Sequence, residues 1–229
     1  MNNQSFVRVE PDDYQAVAQA ISRQLLSALN ANRSVVWLVS GGSCIPVAVR
    51  ARELLGQLDE STHLSVIVMD ERYGEVGHAG SNSMQLKKAG FDMRGLHYDD
   101  VLHGESIEKT TKQFAQTLET LQENEAVIIG LFGMGADGHT SGLLPGNPLM
   151  DSTEFAGFFD GPDYPRITTT PAFIRGITEA TLYVVGENKW PALEHMQQPG
   201  PIEDVPVRIL LDCSRLTIFS DKKDIEEAR

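Results

Sequence analysis

Cysteine is scarce in this chain of 229 residues, which contains only Cys44 and Cys213. Two thiols are too few for a disulfide-stabilised scaffold or for a zinc site built from cysteines. No apolar run approaches the roughly 20 residues that a membrane-spanning helix needs. The N-terminal residues also lack the basic segment and apolar stretch of a secretion signal. We therefore expect a soluble, cytoplasmic protein in a reducing compartment.

Basic residues are also few, because 19 Lys and Arg stand against 32 Asp and Glu, which gives a net charge of -13. Such a chain repels phosphate polymers, so we expect it to bind neither nucleic acid nor an anionic membrane. A small phosphorylated ligand is still compatible with this charge, since a few local cations dominate over a short range. Hydrophobic residues make up 41% of the chain, which is typical of a globular domain.

Short apolar runs alternate with amphipathic helical patterns along the chain. The runs predict strands over residues 35–39, 64–69, 126–132, 182–185, 207–211 and 216–219. The helical periodicity predicts helices over 14–29, 47–58 and 105–122, and a further helix near Glu187. This alternation predicts one α/β domain over residues 1–229, a three-layer α/β/α structure with a mostly parallel, Rossmann-like sheet. Residues 221–229 are strongly charged and are expected to form a solvated tail.

Ligands of open α/β sheets bind outside the carboxyl ends of the strands, so the segments that follow the strands are informative. Ser-Gly-Gly-Ser at 40–43 follows a predicted strand and precedes a helix. Glycines allow close approach of the backbone to a ligand, and a helix N-terminus favours an anion such as phosphate. A plain strand-to-helix turn is an equally good interpretation of this segment alone.

A charged triplet, Asp70, Glu71 and Arg72, follows the next predicted strand. Neighbouring strand residues point to opposite faces, so at most alternate members of the triplet address one site. Arg72 could clamp a phosphate or a carboxylate, although an isolated triplet of this kind is more often a surface ion pair or a helix cap. Further along, Ser81 is a good helix N-cap, and Asn82 could bind a ligand.

The glycine-rich segment at 133–139, Gly-Met-Gly-Ala-Asp-Gly-His, contains the pattern G-x-G-x-x-G. A dinucleotide-binding fingerprint must open a long helix, but Pro145 and Pro148 follow too closely for one. A nicotinamide cofactor is therefore not expected. The loop presents Asp137 and His139, and an imidazole suits general acid–base chemistry near neutral pH. Taken alone, His139 is better interpreted as a loop histidine that caps a helix.

Two cations lie in later segments. Arg166 opens an Arg-Ile-Thr-Thr-Thr segment, and Lys189 follows a predicted strand and Gly186. Either could be an ordinary solvated charge. Cys44, beside the glycine turn, is expected to be a small buried residue and not a nucleophile. The histidines show no metal-ligand spacing, so we expect no metal and no cofactor.

Together these segments resemble the 6-phosphogluconolactonase family, within the superfamily that includes glucosamine-6-phosphate deaminase, over about residues 7–219. The family's patterns occur in order: S-G-G-[ST] at 40–43, D-E-R at 70–72, H-x-x-S-N at 78–82, G-x-G-x-D-G-H-x-[AS] at 133–141, R-[IV]-T at 166–168 and G-x-x-K at 186–189. The pattern with D-G-H is specific to the superfamily, whereas each of the others is weak alone. Cys-Ile-Pro at 44–46 replaces the usual Thr-Pro, which could shift the start of the next helix by a residue.

The resemblance implies hydrolysis of 6-phospho-D-glucono-1,5-lactone to 6-phosphogluconate in the oxidative pentose phosphate pathway. His139, oriented by Asp137, would take a proton from the attacking water, and no metal or organic cofactor would be required. The substrate and its phosphate would be bound by Gly41, Gly42, Ser43, Asp70, Arg72, Asn82, Arg166 and Lys189. The division between phosphate and oxyanion ligands stays open at this point. A monomer or a small homo-oligomer is expected.

Two alternative functions are compatible with the same fold. Deaminases of the superfamily carry D-E-Y in place of D-E-R, and F-N-E-P-G after the histidine, which supplies an extra acid. This chain has Arg72 and then Leu-Pro-Gly at 144–146, which favours the lactonase. A sugar-phosphate sensor, like the effector domains of some repressors, would bind without turnover. Only about ten residues precede the first long helix and the chain is acidic, so no DNA-binding helix-turn-helix is expected.

Overall fold

A parallel sheet forms the centre of the molecule. The computed structural model describes residues 4–11, 13–58, 62–124 and 126–223, so residues 224–229 of the predicted tail lie outside it. The seven strands lie in the order β1 (Gln4–Arg8), β10 (Leu216–Ser220), β9 (Glu179–Val184), β6 (Val127–Gly133), β2 (Val35–Val39), β3 (Leu64–Val68) and β5 (His97–Tyr98). All neighbouring strands in this sheet are parallel. Every residue of β2 is buried, as expected for an apolar strand covered on both faces.

Helices cover the sheet. They are α1 (Gln15–Asn30), α2 (Cys44–Leu54), α3 (Asn82–Lys88), α4 (Ile107–Glu123), α5 (Pro171–Ile174) and α6 (Trp190–Gln197). The predicted helices are confirmed, although α2 begins at Cys44, three residues earlier than expected, and ends at Leu54, four residues earlier than expected. Pro46 does not prevent this, because the first turn of a helix tolerates proline. No helix in the described ranges is long and apolar enough to cross a membrane.

The strand predicted over 207–211 is wrong. Pro206–Asp212 is a 3₁₀ helix whose apolar residues Val207, Ile209 and Leu210 are buried. A short apolar run cannot by itself distinguish a strand from a buried helical segment. The backbone N–H of Val207 donates to the carbonyl of Gly138, at 3.0 Å, so this segment supports the glycine-rich loop instead of extending the sheet.

A second sheet was not expected from the sequence. It is antiparallel, in the order β4 (Asp70–Arg72), β8 (Pro165–Thr169) and β7 (Ala156–Asp160). The chain passes from β3 through Met69 directly into β4, and β4 pairs with β8 so that Arg72 lies opposite Arg166. Arg166 therefore lies within this sheet, and pairing across it brings two sequence-distant arginines to one place.

Candidate active site

A cleft of about 270 Å³ opens where β2, β6 and β9 end and the second sheet begins. Every predicted site residue except Asp137 lines this cleft, and Asp137 contacts it through His139. Residues separated by more than a hundred positions therefore converge, as the rule for carboxyl ends of parallel strands predicts. In the described part of the chain, no three His, Cys, Asp or Glu side chains group as metal ligands.

The glycine turn between β2 and α2 presents free backbone donors to the cleft. Among the described residues, the N–H groups of Gly41, Gly42 and Ser43 have no protein acceptor, whereas Ser40 donates to Leu131. Gly42 has a φ of +60°, which suits glycine because it carries no Cβ. The α2 helix of 11 residues starts directly after these amides, so its dipole adds to their positive potential. The turn is therefore suited to hold an anionic group such as phosphate.

His139 and Asp137 form a hydrogen-bonded pair at the edge of the cleft. His139 Nδ1 lies 2.6 Å from Asp137 Oδ1, and the backbone N–H of His139 donates to the same oxygen at 3.1 Å. Burial raises the pKa of Asp137, but these hydrogen bonds and the nearby imidazole outweigh it and hold that pKa below its ordinary value. With Nδ1 engaged, Nε2 is the ring nitrogen left for a reacting group. In the described range 126–223, the next regular element after the loop is strand β7, so His139 does not cap a helix there.

Asp70, Arg72, Asn82 and Arg166 form a connected polar network on the second-sheet side of the cleft. Arg166 lies 3.6 Å from a carboxylate oxygen of Asp70. Asn82 donates to the backbone carbonyl of Asp70 at 2.8 Å and accepts from Arg72 at 2.9 Å. Burial raises the pKa of Asp70, and the two arginines oppose that shift. Because its amide already binds protein groups on both sides, Asn82 orients Arg72 and Asp70 in this geometry.

Glu71 lies between Asp70 and Arg72 in sequence, but its side chain faces away from the cleft and is fully buried. Its carboxylate accepts from the backbone N–H groups of Asn82, at 2.7 Å, and Ser83, at 3.0 Å, and from the hydroxyl of Ser81. Ser81 is also the N-cap of α3 and accepts from the backbone N–H of Met84, as predicted. The alternation expected within the triplet is therefore observed, since Glu71 anchors a helix while its neighbours line the cleft.

Lys189 enters the cleft from the turn after β9 and has no ion-pair partner among the described residues. Its charge reaches the start of α2, where it lowers the pKa of the Cys44 thiol. Burial dominates and raises that pKa to about 12. Cys44 is thus an unreactive packing residue beneath the glycine turn, as the sequence predicted, whereas Lys189 is a cation available to a ligand.

Ser40, Ser141 and Met69 belong to the site but were not among the predicted residues. Ser40 and Ser141 line the cleft, and both hydroxyls donate to the buried sulfur of Met69, at 3.5 and 3.3 Å. Ser141 has a φ of +48°, unusual for a residue with a side chain. Ser141 lies in the recognised loop motif, but no sequence signal marks Met69 as the residue that joins the two loops.

The cleft and the fold together define a family. A family model described as glucosamine-6-phosphate isomerases/6-phosphogluconolactonase matches residues 10–219. The chain therefore belongs to this family, and the predicted resemblance is confirmed.

Similar curated proteins carry the name 6-phosphogluconolactonase. One from Nostoc sp. is 27% identical over 212 residues, which covers 85% of each chain. One from Caulobacter vibrioides is 27% identical over 227 residues, with 90% of this chain and 91% of the relative covered. The rat protein of the same name is 28% identical over 200 residues, with 79% and 76% covered.

Solved structures with this fold include a 6-phosphogluconolactonase from Shewanella baltica, with a TM-score of 0.80, 21% identity and coverage of 95% of this chain and 97% of that one. A 6-phosphogluconolactonase from Trypanosoma cruzi has a TM-score of 0.79 at 20% identity, with 96% and 94% covered. At this identity the likeness concerns the fold, and it confirms the predicted α/β architecture.

Proposed function

We propose that this chain hydrolyses 6-phospho-D-glucono-1,5-lactone to 6-phosphogluconate in the oxidative pentose phosphate pathway, without a metal or organic cofactor. The observation that carries the proposal is the His139–Asp137 pair beside a cleft lined with cations and free amides. The family and the names of the relatives described above support the same activity.

The chemistry follows from the geometry of the pair. Water adds its oxygen to the lactone carbonyl carbon while His139 Nε2 accepts the proton of that water. Asp137, bonded to Nδ1, stabilises the imidazolium that forms and fixes the orientation of the ring. The tetrahedral intermediate then collapses, the bond from C1 to the ring oxygen breaks, and the imidazolium returns its proton to that oxygen. The products are a free hydroxyl and a carboxylic acid, which ionises to the carboxylate and releases one proton to the solvent.

The two sides of the cleft supply donors for two parts of the substrate: its phosphate group, and the lactone carbonyl on which negative charge develops. Lys189 and the amides of the glycine turn, from Gly41 to Ser43, lie at the start of α2 and bind the phosphate. Arg166 and Arg72 extend the positive lining from the second sheet toward the developing oxyanion. Asp70 and Asn82 hold these guanidinium groups in place through the network described above.

The deaminase alternative needs an additional acid near the reacting carbon. Among the described residues that line the cleft, Asp70 is the one carboxylate, and Arg166 and Arg72 offset its charge. Residues 144–146, Leu-Pro-Gly, supply no acid to the loop after His139. This arrangement favours hydrolysis of a lactone over ring opening and loss of an amine.

The decisive experiment measures acid release from freshly generated 6-phosphogluconolactone, with the spontaneous hydrolysis subtracted. The proposal expects turnover that His139→Asn largely removes, and much weaker turnover of unphosphorylated gluconolactone. Release of ammonia from glucosamine 6-phosphate would instead support the deaminase, and binding without turnover would support the sensor. Either result overturns the proposal.

We also propose that the chain acts as a single domain in the cytoplasm, as a monomer or a small homo-oligomer. One continuous cluster of buried apolar residues joins the elements of the described part of the chain, which supports a single domain. Light scattering of the purified protein measures its oligomeric state, and a large assembly would contradict this expectation.

A further inference from the structure

Asp221 follows β10 directly, at the start of the segment predicted to be a solvated tail. The prediction is wrong for this residue, because its carboxylate makes hydrogen bonds to the turn that follows β9. Strands β9 and β10 are parallel neighbours, and Ser220 lies opposite Val184 in their register. The sheet therefore brings Asp221 beside Gly186, although 35 positions separate them in sequence.

One carboxylate holds both ends of the turn that carries Lys189. The backbone N–H of Gly186 donates to the two oxygens of Asp221 at 3.2 and 3.1 Å. The indole N–H of Trp190 donates to Oδ1 of Asp221 at 2.9 Å. Within the turn, the backbone N–H of Lys189 donates to the carbonyl of Gly186 at 2.9 Å. Gly186, before the turn, and Trp190, directly after Lys189, are thus both hydrogen-bonded to the carboxylate of Asp221.

The turn needs such an attachment. Gly186 has a φ of +108°, and Glu187–Lys189 is only a short 3₁₀ helix with no buried residue. A lysine side chain has several rotatable bonds, so binding an anion with it costs conformational entropy. A backbone that is already fixed at the carboxyl end of the sheet reduces the freedom that must be lost when the ligand binds.

We infer that Asp221 is a positioning residue for the phosphate site: it fixes the turn that directs Lys189 into the cleft, and so sets the affinity for the phosphorylated end of the substrate. This inference rests on the proposed function in one respect, that Lys189 binds the phosphate. It assigns to the residue after the last strand a role in substrate recognition, exerted from outside the cleft lining.

The negative charge of Asp221, considered alone, should lower the affinity for phosphate, whereas its positioning of Lys189 should raise that affinity. A negative charge near a phosphate site weakens anion binding, so its removal would tighten binding if charge alone mattered. Loss of positioning would weaken binding instead. The sign of the change on replacing Asp221 therefore separates the two roles.

The test compares Asp221→Ala, Asp221→Asn and Trp190→Phe with the unchanged protein. We expect Asp221→Ala to raise KM for the phosphorylated lactone, and the dissociation constant of 6-phosphogluconate, by roughly three- to thirtyfold, a usual range for residues of one hydrogen-bond network. Asp221→Asn keeps an oxygen acceptor and should recover much of the loss. Trp190→Phe removes the indole donor and should have a smaller effect in the same direction. The kcat for unphosphorylated gluconolactone should change little in all three variants.

Lys222→Ala is the matched control. Lys222 is the next residue in the same segment, and its ammonium group lies 3.0 Å from Glu194 on α6. Among the described residues, no hydrogen bond or ion pair joins its side chain to Gly186–Lys189. If Asp221 only secured the C-terminal segment, both alanine variants would weaken phosphate binding equally. The inference expects the control to leave the affinity for 6-phosphogluconate unchanged. Thermal unfolding of each variant identifies any that lose their fold.

A double variant tests whether Asp221 acts through Lys189. In a Lys189→Ala background, Asp221→Ala should cause little further loss of 6-phosphogluconate affinity, because the group that it positions is gone. Additive losses, or tighter binding after Asp221→Ala alone, overturn the inference. Binding of 6-phosphogluconate by calorimetry does not depend on turnover. Absence of lactonase activity would thus refute the proposed function, while the calorimetric comparison still decides the role of Asp221.

Discussion

At the residue scale, the role of a side chain in the site depends on which of its polar atoms already bind other protein groups. Asn82 was predicted to bind ligand, yet both ends of its amide bind Asp70 and Arg72. Lys189 has no ion-pair partner in the part of the chain that the structure describes, so it is the better candidate for a direct ligand contact. His139 has one ring nitrogen bonded to Asp137, and its other ring nitrogen has no hydrogen-bond partner among the described residues, which is the arrangement that a general base requires.

Replacing His139 with Asn should lower kcat for the phosphorylated lactone by about 10²- to 10⁴-fold, the usual contribution of a positioned base. The affinity for 6-phosphogluconate should change little, because the proposed phosphate contacts remain. Steady-state rates measure the first effect, and calorimetry with 6-phosphogluconate measures the second. A variant with near-normal kcat would contradict the assignment of His139 as the base and would favour Asp70 in that role.

The two cysteines should be inert in the folded protein. Burial raises the pKa of the Cys44 thiol and of the Cys213 thiol to about 12 in each case. The reactive thiolate is therefore a very small fraction of either thiol near neutral pH, and both side chains are also shielded from reagents. Titration with a chromogenic disulfide should detect almost no thiol before unfolding and two equivalents in denaturant. Rapid reaction of one equivalent in the native protein would contradict the burial of these groups.

At the scale of elements, the site depends on how the short second sheet is attached to the main one. Strand β4 has only three residues, and all three are charged. Glu71 faces inward and binds the N-terminus of α3, while Asp70 and Arg72 face the cleft. One strand thereby ties a helix to the sheet on one face and builds the cleft on the other.

Replacing Glu71 with Gln should lower the free energy of unfolding by about 1–3 kcal/mol, the usual cost of leaving buried polar groups unpaired. Gln has one acceptor oxygen where Glu71 has two, so its nitrogen must face donors that Glu71 now binds. These are either the N–H groups of Arg72 and Asn82 at one oxygen, or the N–H of Ser83 and the hydroxyl of Ser81 at the other. Urea unfolding with kcat measured in parallel provides the test. Glu75→Gln is the control, since Glu75 is exposed in the following loop and its replacement should stay within about 0.5 kcal/mol. Equal effects of the two changes would show that the buried contacts contribute nothing.

At the scale of the whole molecule, a net charge of -13 coexists with a positively lined cleft. Cations from the second sheet and from the turn after β9 are brought together with the amides of the glycine turn. We therefore still expect the negative charge of the whole molecule to disfavour binding of nucleic acids and anionic membranes, and the positive charge of the cleft to attract a small anion.

Lactone hydrolysis should not require a metal. The proposed mechanism uses an imidazole, a carboxylate, cations and amides, all supplied by the chain. Activity should therefore survive exhaustive treatment with a chelator and dialysis, with turnover measured before and after. Loss of activity that returns when one particular metal is added would contradict the mechanism.

The sequence by itself determined the architecture of the main sheet and most members of the site. Runs such as Val35–Val39 are apolar throughout, so a strand made from them must be covered on both faces to remove its side chains from water. The glycine turn and the loop at 133–139 could be placed at strand ends because local patterns specify them. The ambiguous case was residues 207–211, whose apolar composition fits a strand and a buried 3₁₀ helix equally well.

Tertiary structure alone decided the second sheet and the attachment of Asp221. Pairing of Asp70–Arg72 with Pro165–Thr169 joins segments far apart in sequence, and neither segment shows the apolar alternation that predicts a strand. Asp221 resembles any other charge near a chain end until β10 is placed beside β9. The physical reason is common to both cases: a polar side chain's partner is decided by which strands become neighbours, and strand order depends on packing of the whole chain.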